Sequence, residues 1–463
     1  MNRRWFRLCL SLFLLCISGL ASITYGQPLR VSPDKHHLVR QDGSPFFYLG
    51  DTAWELFHRL NREEADYYLE NRAQKGFTVI QAVVLAELDG LSVPNPYGQL
   101  PLVNNDPTKI NEAYFEHVDY IINKAESLGL YVGLLPTWGD KFNKRWGSDS
   151  EIFTSDNARV YGEFLGKRYK NKPIIWIMGG DRSPENEQHF VIIRAMAEGI
   201  RKSVGNTQLF TYHPMGGTNS ATYFHQDAWL DMNMFQSGHN RLDIPNYEMT
   251  LANYQLSPIK PTVDGEPRYE DHPINWKPEN GWFEDFDVRQ AAYWSMLSGA
   301  CGHTYGNHNI WQFWQKGRQP ISAARTPWRE AMDQPGAFEM GLLRSLFESR
   351  PWQRLVPDQT MVQVSDSTAK QVRAARADDG SFLMVYLPNA ETVKVDLTKL
   401  KAKSLVGWWY NPKSGAVAKL GKVRGSGFKE FDPPGEGFRG NDWVLIIDDA
   451  SKSFPAPGQG REY

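Results

Sequence analysis

Ile174–Asp181 reads IIWIMGGD, an apolar β-type run that stops at two glycines and a carboxylate. Lys260–Glu266, KPTVDGE, repeats the layout further along the chain. A strand that is apolar at nearly every position is buried on both faces, as in a parallel sheet covered by helices. In a closed parallel barrel the functional side chains gather at the C-terminal strand ends. Each run therefore delivers one acid to that rim, and two acids from different strands are the minimum equipment for breaking a glycosidic bond.

Outward from these two runs, apolar β-type segments alternate with amphipathic helical ones. Strands are predicted at 46–49, 78–84, 131–135, 174–178, 209–212, 232–236, 261–263 and 302–305. Helices are clearest at 62–74, 112–128, 157–169, 190–204 and 287–297. Asn61 is placed to cap the first helix, Glu63 and Glu64 suit its dipole, and Lys75-Gly76 ends it. Strand–helix alternation implies parallel strands with helical crossovers, and eight units fit a (β/α)8 TIM barrel of the α/β class. No glycine-rich dinucleotide fingerprint or phosphate loop interrupts the pattern. After about residue 350 helical periodicity fades, and short alternating runs are separated by turn signals such as Asp378-Asp379-Gly380 and Pro433-Pro434-Gly435. This predicts a small C-terminal antiparallel β-sandwich. The expected organisation is a leader over 1–26, a barrel over 27–350 and the sandwich over 351–463.

The leader has Arg3, Arg4 and Arg7, then apolar Leu8–Leu20, then the small-residue site Thr24-Tyr25-Gly26, the layout of a secretory signal. It predicts a periplasmic or secreted protein with no membrane attachment after cleavage. Of three cysteines, only Cys301 lies beyond the leader, so no internal disulfide forms. The net charge of -2, without long charged runs, gives no basis for a nucleic-acid partner. Aromatics make up 13% of the chain, with 16 Trp, and flat rings suit stacking on the apolar faces of sugars.

Asp181 falls at the end of the fourth strand and Glu266 at the end of the seventh, facing each other across a barrel mouth. One carboxyl must be protonated for the leaving oxygen, and the other ionised. Either acid alone could instead cap a helix or hold a salt bridge. Glu270, four residues on, is a rival for the second role. Other strand ends offer Asp51, Trp54, Gln81, Trp138, His213, Gln236, His239, His303 and Tyr305 as substrate-binding candidates. The histidines show no metal-ligand spacing, so neither metal nor other cofactor is expected.

Four stretches, FFYLGDTAWELFHRLNREEADYYLENRAQKGFTVIQ, LLPTWGDK, IIWIMGGDRSPENE and DGEPRYE, resemble the apiosidase family of glycoside hydrolases. WWYNPKSG, FDPPGEG and NDWVLIID resemble the β-domain that accompanies its catalytic module. The resemblance implies a secreted bacterial enzyme that cuts the apiose–galacturonic acid linkage of the pectic polysaccharide rhamnogalacturonan-II, with Asp181 as acid and Glu266 as partner. Its partner molecule would be plant pectin. In the broader superfamily of retaining enzymes the fourth strand ends in Asn-Glu, whereas here it ends in Gly180-Asp181. An aspartate carboxyl sits one methylene further back, so the stereochemical outcome does not carry over by analogy. Another furanosidase or endoglycanase, or a non-catalytic glycan- or collagen-binding protein, is the alternative.

Overall fold

The computed structural model describes residues 28–147, 149–363 and 369–460. The leader, 1–26, lies outside the described residues. Strands and helices alternate as β1 (Tyr48–Thr52), α1 (Arg62–Gln74), β2 (Val79–Leu85), α2 (Glu112–Ser127), β3 (Tyr131–Thr137), α3 (Ser155–Tyr169), β4 (Ile174–Gly179) and α4 (Glu187–Val204). The second half continues as β5 (Leu209–His213), α5 (Ala221–Phe224), β6 (Asn233–Phe235), α6 (Asn246–Tyr254), β7 (Thr262–Asp264), α7 (Asp285–Met296), β8 (Gly302–Tyr305) and α8 (Pro335–Glu348).

Six strands form one parallel sheet in the order β8-β1-β2-β3-β4-β5, and β6 pairs with β7. Two seams remain. The Met232 N–H donates to Phe210 O at 3.3 Å, joining the chain before β6 to β5, and the Cys301 N–H donates to Thr262 O at 2.9 Å, joining the chain before β8 to β7. The sheet is thereby a closed (β/α)8 barrel. Successive strand residues point to opposite faces. Ile175 and Ile177 of β4 therefore enter the barrel interior with Val79, Val83, Leu135 and Met234. Ile174, Trp176 and Met178 pack outward against Tyr161, Leu165 and Met196 of α3 and α4.

The first strand departs from expectation. Pro45–Phe46 pairs with Leu38–Val39 in a small antiparallel sheet at the bottom of the barrel, and β1 runs from Tyr48 to Thr52. Asp51 is thus a strand residue rather than one just beyond the strand's end. α1 begins as its sequence indicates: Asn61 accepts from the Glu64 N–H at 2.8 Å while Glu64 accepts from the Asn61 N–H at 3.1 Å, the reciprocal capping box.

The C-terminal unit holds β9 (Leu355–Pro357), β10 (Val362–Gln363), β11 (Arg373–Ala377), β12 (Phe382–Leu387), β13 (Val393–Asp396), β14 (Leu405–Tyr410), β15 (Val417–Val423), β16 (Phe428–Phe431) and β17 (Trp443–Asp449). A six-stranded antiparallel sheet, β9-β11-β12-β17-β14-β15, stacks on a three-stranded one, β10-β13-β16. Leu383, Val385, Trp409, Leu445 and Ile447 fill the space between the sheets. The opposite face, with Phe382, Met384, Tyr386, Tyr410 and Ile446, packs on α7 and α8 of the barrel. Tyr293 and Tyr386 stack across this junction at 4.8 Å, and Arg289 reaches from α7 to Asp442 at 2.8 Å. The adjacent indoles alternate: Trp409 is sandwich core, while Trp408 donates to Asp448 at 3.0 Å beneath the Lys419 ammonium.

Candidate active site

The chain makes an unusual turn where β4 ends. Gly179, Gly180 and Asp181 have φ of 89°, 118° and 50° in succession, a region glycine enters freely and aspartate tolerates at a cost. A Cβ on Gly179 would lie 2.6 Å from His213 O, so only glycine lets β4 run this close to β5. The Gly180 N–H donates to His213 O at 3.1 Å, and the Gly180 carbonyl accepts from the Gly139 N–H at 3.0 Å. Sewn between β3 and β5, the turn aims Asp181 at the barrel mouth.

Glu266 arrives from the other side. Gly265 must be small, because a Cβ there would meet Met234 Sδ at 2.5 Å. Its carbonyl accepts from Gln81 Nε2 at 2.9 Å, and Gln81 accepts from the Tyr48 hydroxyl at 3.0 Å. Gln81 is thus an interior strut under the Glu266 loop rather than a substrate contact.

Asp181 and Glu266 line one cleft of about 470 Å³, together with Trp54, Glu87, Trp138, Trp146, Gln236, His239, Tyr269, Trp276 and Trp311. The environments of the two acids differ sharply. Glu266 is 6% exposed. Burial works to raise its pKa, but His213 and His239 outweigh that and hold it down at about 2. His239 Nε2 lies 3.0 Å from Oε1; His213 Nε2 lies 3.0 Å from Oε2, off the line of a full hydrogen bond. His213 Nδ1 accepts from the Asp181 N–H at 3.0 Å. A ring that accepts at Nδ1 carries its proton on Nε2, so that N–H faces Glu266. Asp181 is pushed the other way, up to about 7, by burial and then by the Glu266 charge. Arg182, His213 and Gln236 pull it down only in part. Two neighbouring carboxyls with pKa values driven apart are an acid–base pair: a neutral donor and an ionised partner.

Aromatic rings build the walls. Trp54 and Trp138 lie 5.3 Å apart and flank His213. Both are nearly buried, whereas Trp146 and Trp276 are 38% and 47% exposed and present ring faces at the rim. Trp146 is backed by the Arg182 guanidinium at 3.7 Å, and Trp276 lies edge-on to His272 at 4.5 Å.

Of the sequence candidates, the cleft collects Asp181, Glu266, Trp54, Trp138, Gln236 and His239, with His213 in its floor. Five others lie elsewhere. Asp51 faces outward, fully buried, paired with Arg72 at 2.7 Å and Tyr68 at 2.5 Å from α1. Tyr305 and His303 sit two apart on β8, in register with outward-facing Asp51 and Leu49, so both point away from the mouth. Tyr305 donates instead to Glu270 at 2.5 Å. Glu270 also accepts the Gly336 N–H at 3.1 Å, at the start of α8. It holds that helix end and is not the second acid of the cleft. Gln81, as above, is internal.

Glu87, Trp146, Tyr269, Trp276 and Trp311 were not among the candidates. Glu87 lies just past β2 and Tyr269 three residues past Glu266, both within reach of strand-end reasoning. Trp146 sits on a loop, Trp276 in a single 3-10 turn and Trp311 at the end of a one-turn helix, none with a local signal in the sequence. Among the described residues no group of three or more His, Cys, Asp or Glu side chains is arranged to hold a metal ion. No helix among them is long and apolar enough to cross a membrane.

A (β/α)8 barrel that brings one acid from the end of β4 and one from the end of β7 into a single aromatic cleft has the layout of a glycoside hydrolase. Comparison with known proteins identifies the branch. Residues 32–354 match the family described as "Apiosidase-like, catalytic domain", and residues 356–448 match "Putative collagen-binding domain of a collagenase". The chain belongs to the apiosidase-like family. A solved structure named "Glycoside hydrolase" shares 34% identity, with 93% of this chain and 98% of that one covered and a TM-score of 0.85. A glycoside hydrolase family 5 structure from Bacteroides vulgatus ATCC 8482 shares 33% identity over 92% of this chain and 95% of that one, with a TM-score of 0.86. A search of curated proteins returned no match.

Proposed function

We propose that this glycoside hydrolase is an endo-acting apiosidase that cleaves the apiose–galacturonic acid linkage of rhamnogalacturonan-II. The observation that carries the chemistry is that the Asp181 and Glu266 carboxyls share a single cleft, with Glu266 alone facing two imidazoles, His213 and His239, each at 3.0 Å. Membership of the apiosidase-like family supports the substrate. Asp181 gives its proton to the glycosidic oxygen, so the departing sugar leaves as an alcohol. Glu266 stabilises the positive charge that develops on the sugar left behind, and water completes the hydrolysis by bonding to its anomeric carbon, either directly with Glu266 as base or after a covalent glycosyl–Glu266 intermediate. His213 and His239 keep that charge in place, and Trp146 and Trp276 offer ring faces to sugars on either side.

The leader composition supports export to the periplasm or beyond. N-terminal sequencing of protein recovered from the periplasm or medium should begin near Gln27; a retained Met1 would reject export.

Incubating the purified protein with rhamnogalacturonan-II should release oligosaccharides with apiose at the reducing end, while cellulose, xylan, mannan and galactan stay intact. Cleavage of one of those glucans or mannans with rhamnogalacturonan-II untouched would reject the substrate in favour of an endoglycanase.

A further inference from the structure

The cleft holds a third carboxyl, Glu87, that the two-acid chemistry does not use. Its backbone is fixed on both sides. The Ala86 carbonyl, one residue before, accepts from Lys141 Nζ at 2.5 Å. That ammonium is fully buried and pinned by Asp140 at 2.8 Å and Asp149 at 2.9 Å. The Leu88 N–H, one residue after, donates to Glu55 Oε1 at 3.1 Å. Glu55 is itself buried and held by His58 at 2.6 Å. Two buried ionic clusters thus present one residue.

Glu87's own carboxyl takes no hydrogen bond among the described residues. The carboxyl is half-buried on the cleft wall and open to an incoming group, and a polar group held on a rigid support is the usual form of a ligand contact.

We propose that Glu87 is a specificity-determining residue that hydrogen-bonds a hydroxyl of the sugar on the leaving-group side of the scissile bond. The side follows from its neighbours. Lys141, which holds the Ala86 carbonyl, lies two residues past Gly139, whose N–H donates to the Gly180 carbonyl beside Asp181 at 3.0 Å, so Glu87 and Asp181 are fastened to the same loop and share the wall of the acid that serves the departing oxygen. Among the described residues no lysine or arginine lines the cleft, and the Arg182 guanidinium behind its wall is spent on the carbonyls of Asp181, Asn143 and Trp146. Burial and then the Asp181 charge push the Glu87 carboxyl above its ordinary range, which favours its protonated form. A neutral carboxyl both gives and accepts one hydrogen bond, the pattern of a sugar hydroxyl.

The inference rests on Asp181 being the acid and on rhamnogalacturonan-II as substrate. The test compares kcat/KM on rhamnogalacturonan-II with kcat/KM on an aryl apioside, whose phenol departs without any sugar hydroxyl. In Glu87→Ala the polysaccharide-to-aryl ratio should fall about 10- to 100-fold, the usual discrimination of a site left with a missing polar partner. Glu87→Gln, which keeps one donor and one acceptor, should restore the ratio to within about threefold. An unchanged ratio in Glu87→Ala, or Glu87→Gln as impaired as Glu87→Ala, would overturn the role. Wild-type protein inert on rhamnogalacturonan-II would instead overturn the substrate, and this inference with it.

Discussion

The backbone N–H of Asp181 donates to Nδ1 of His213 at 3.0 Å, so the residue that carries one acid also fixes the tautomer of the ring facing the other. The strained turn at Gly179–Asp181 and the ionisation of Glu266 are therefore one construction. In His213→Ala, Glu266 loses a donor and a wall, and its pKa rises toward an ordinary carboxylate value. The rate should fall about 10²-fold, the typical cost of a displaced reacting group. The acidic limb of kcat/KM should also move to higher pH. A merely structural loss would lower the rate without moving that limb.

The two acids set the pH profile. Asp181, raised to about 7, must hold its proton, and Glu266, lowered to about 2, must have lost its own. Activity is expected to be flat through mildly acid conditions and to fall as pH rises through about 7, close to tenfold per unit once Asp181 ionises. In Asp181→Ala the residual rate should lose this alkaline limb. A wild-type rate still climbing above pH 8 would contradict the assignment.

Asp51 serves stability. It is fully buried against Arg72 at 2.7 Å, and removing one partner of such a pair strands a charge at a cost of about 3–5 kcal/mol. Asp51→Ala should lower the urea midpoint accordingly while KM of the folded fraction stays within about twofold, since surface and core changes away from a site leave binding alone. A large KM increase at unchanged stability would return Asp51 to the substrate site.

The small domain is fastened to the barrel by buried charges. Arg289 of α7 meets Asp442 at 2.8 Å and Glu339 at 2.5 Å with no exposure of its own. Asp442→Ala should destabilise the whole chain by about 3 kcal/mol or more, and wild-type unfolding should be a single transition by fluorescence and circular dichroism. Two separated transitions would mean that the domains fold independently.

The barrel was legible because each strand is an apolar run closed by glycine or a polar residue, a signal carried by local sequence alone. Facing was less legible. A difference of two residues at the start of β1 and three at its end turned Asp51 from a rim residue into an in-strand one facing α1, and on β8 the outward pair His303 and Tyr305 could not be told from inward Thr304 without the register to β1. Glu266 and Glu270 could not be ranked because the contact that occupies Glu270, the start of α8, lies far along the chain. Glu87 directly follows β2, so its place at the rim could be read from the strand end; what the sequence could not show is that Lys141 and Glu55, from distant parts of the chain, present it.

The most direct test is the rate of rhamnogalacturonan-II cleavage by Asp181→Ala and Glu266→Ala beside wild type, with folding checked by circular dichroism. Each variant should lose at least about 10³-fold in kcat, the scale of removing a general acid or its charged partner. Retention of a tenth or more of wild-type activity by either folded variant would contradict the pairing of these two carboxyls across the scissile bond.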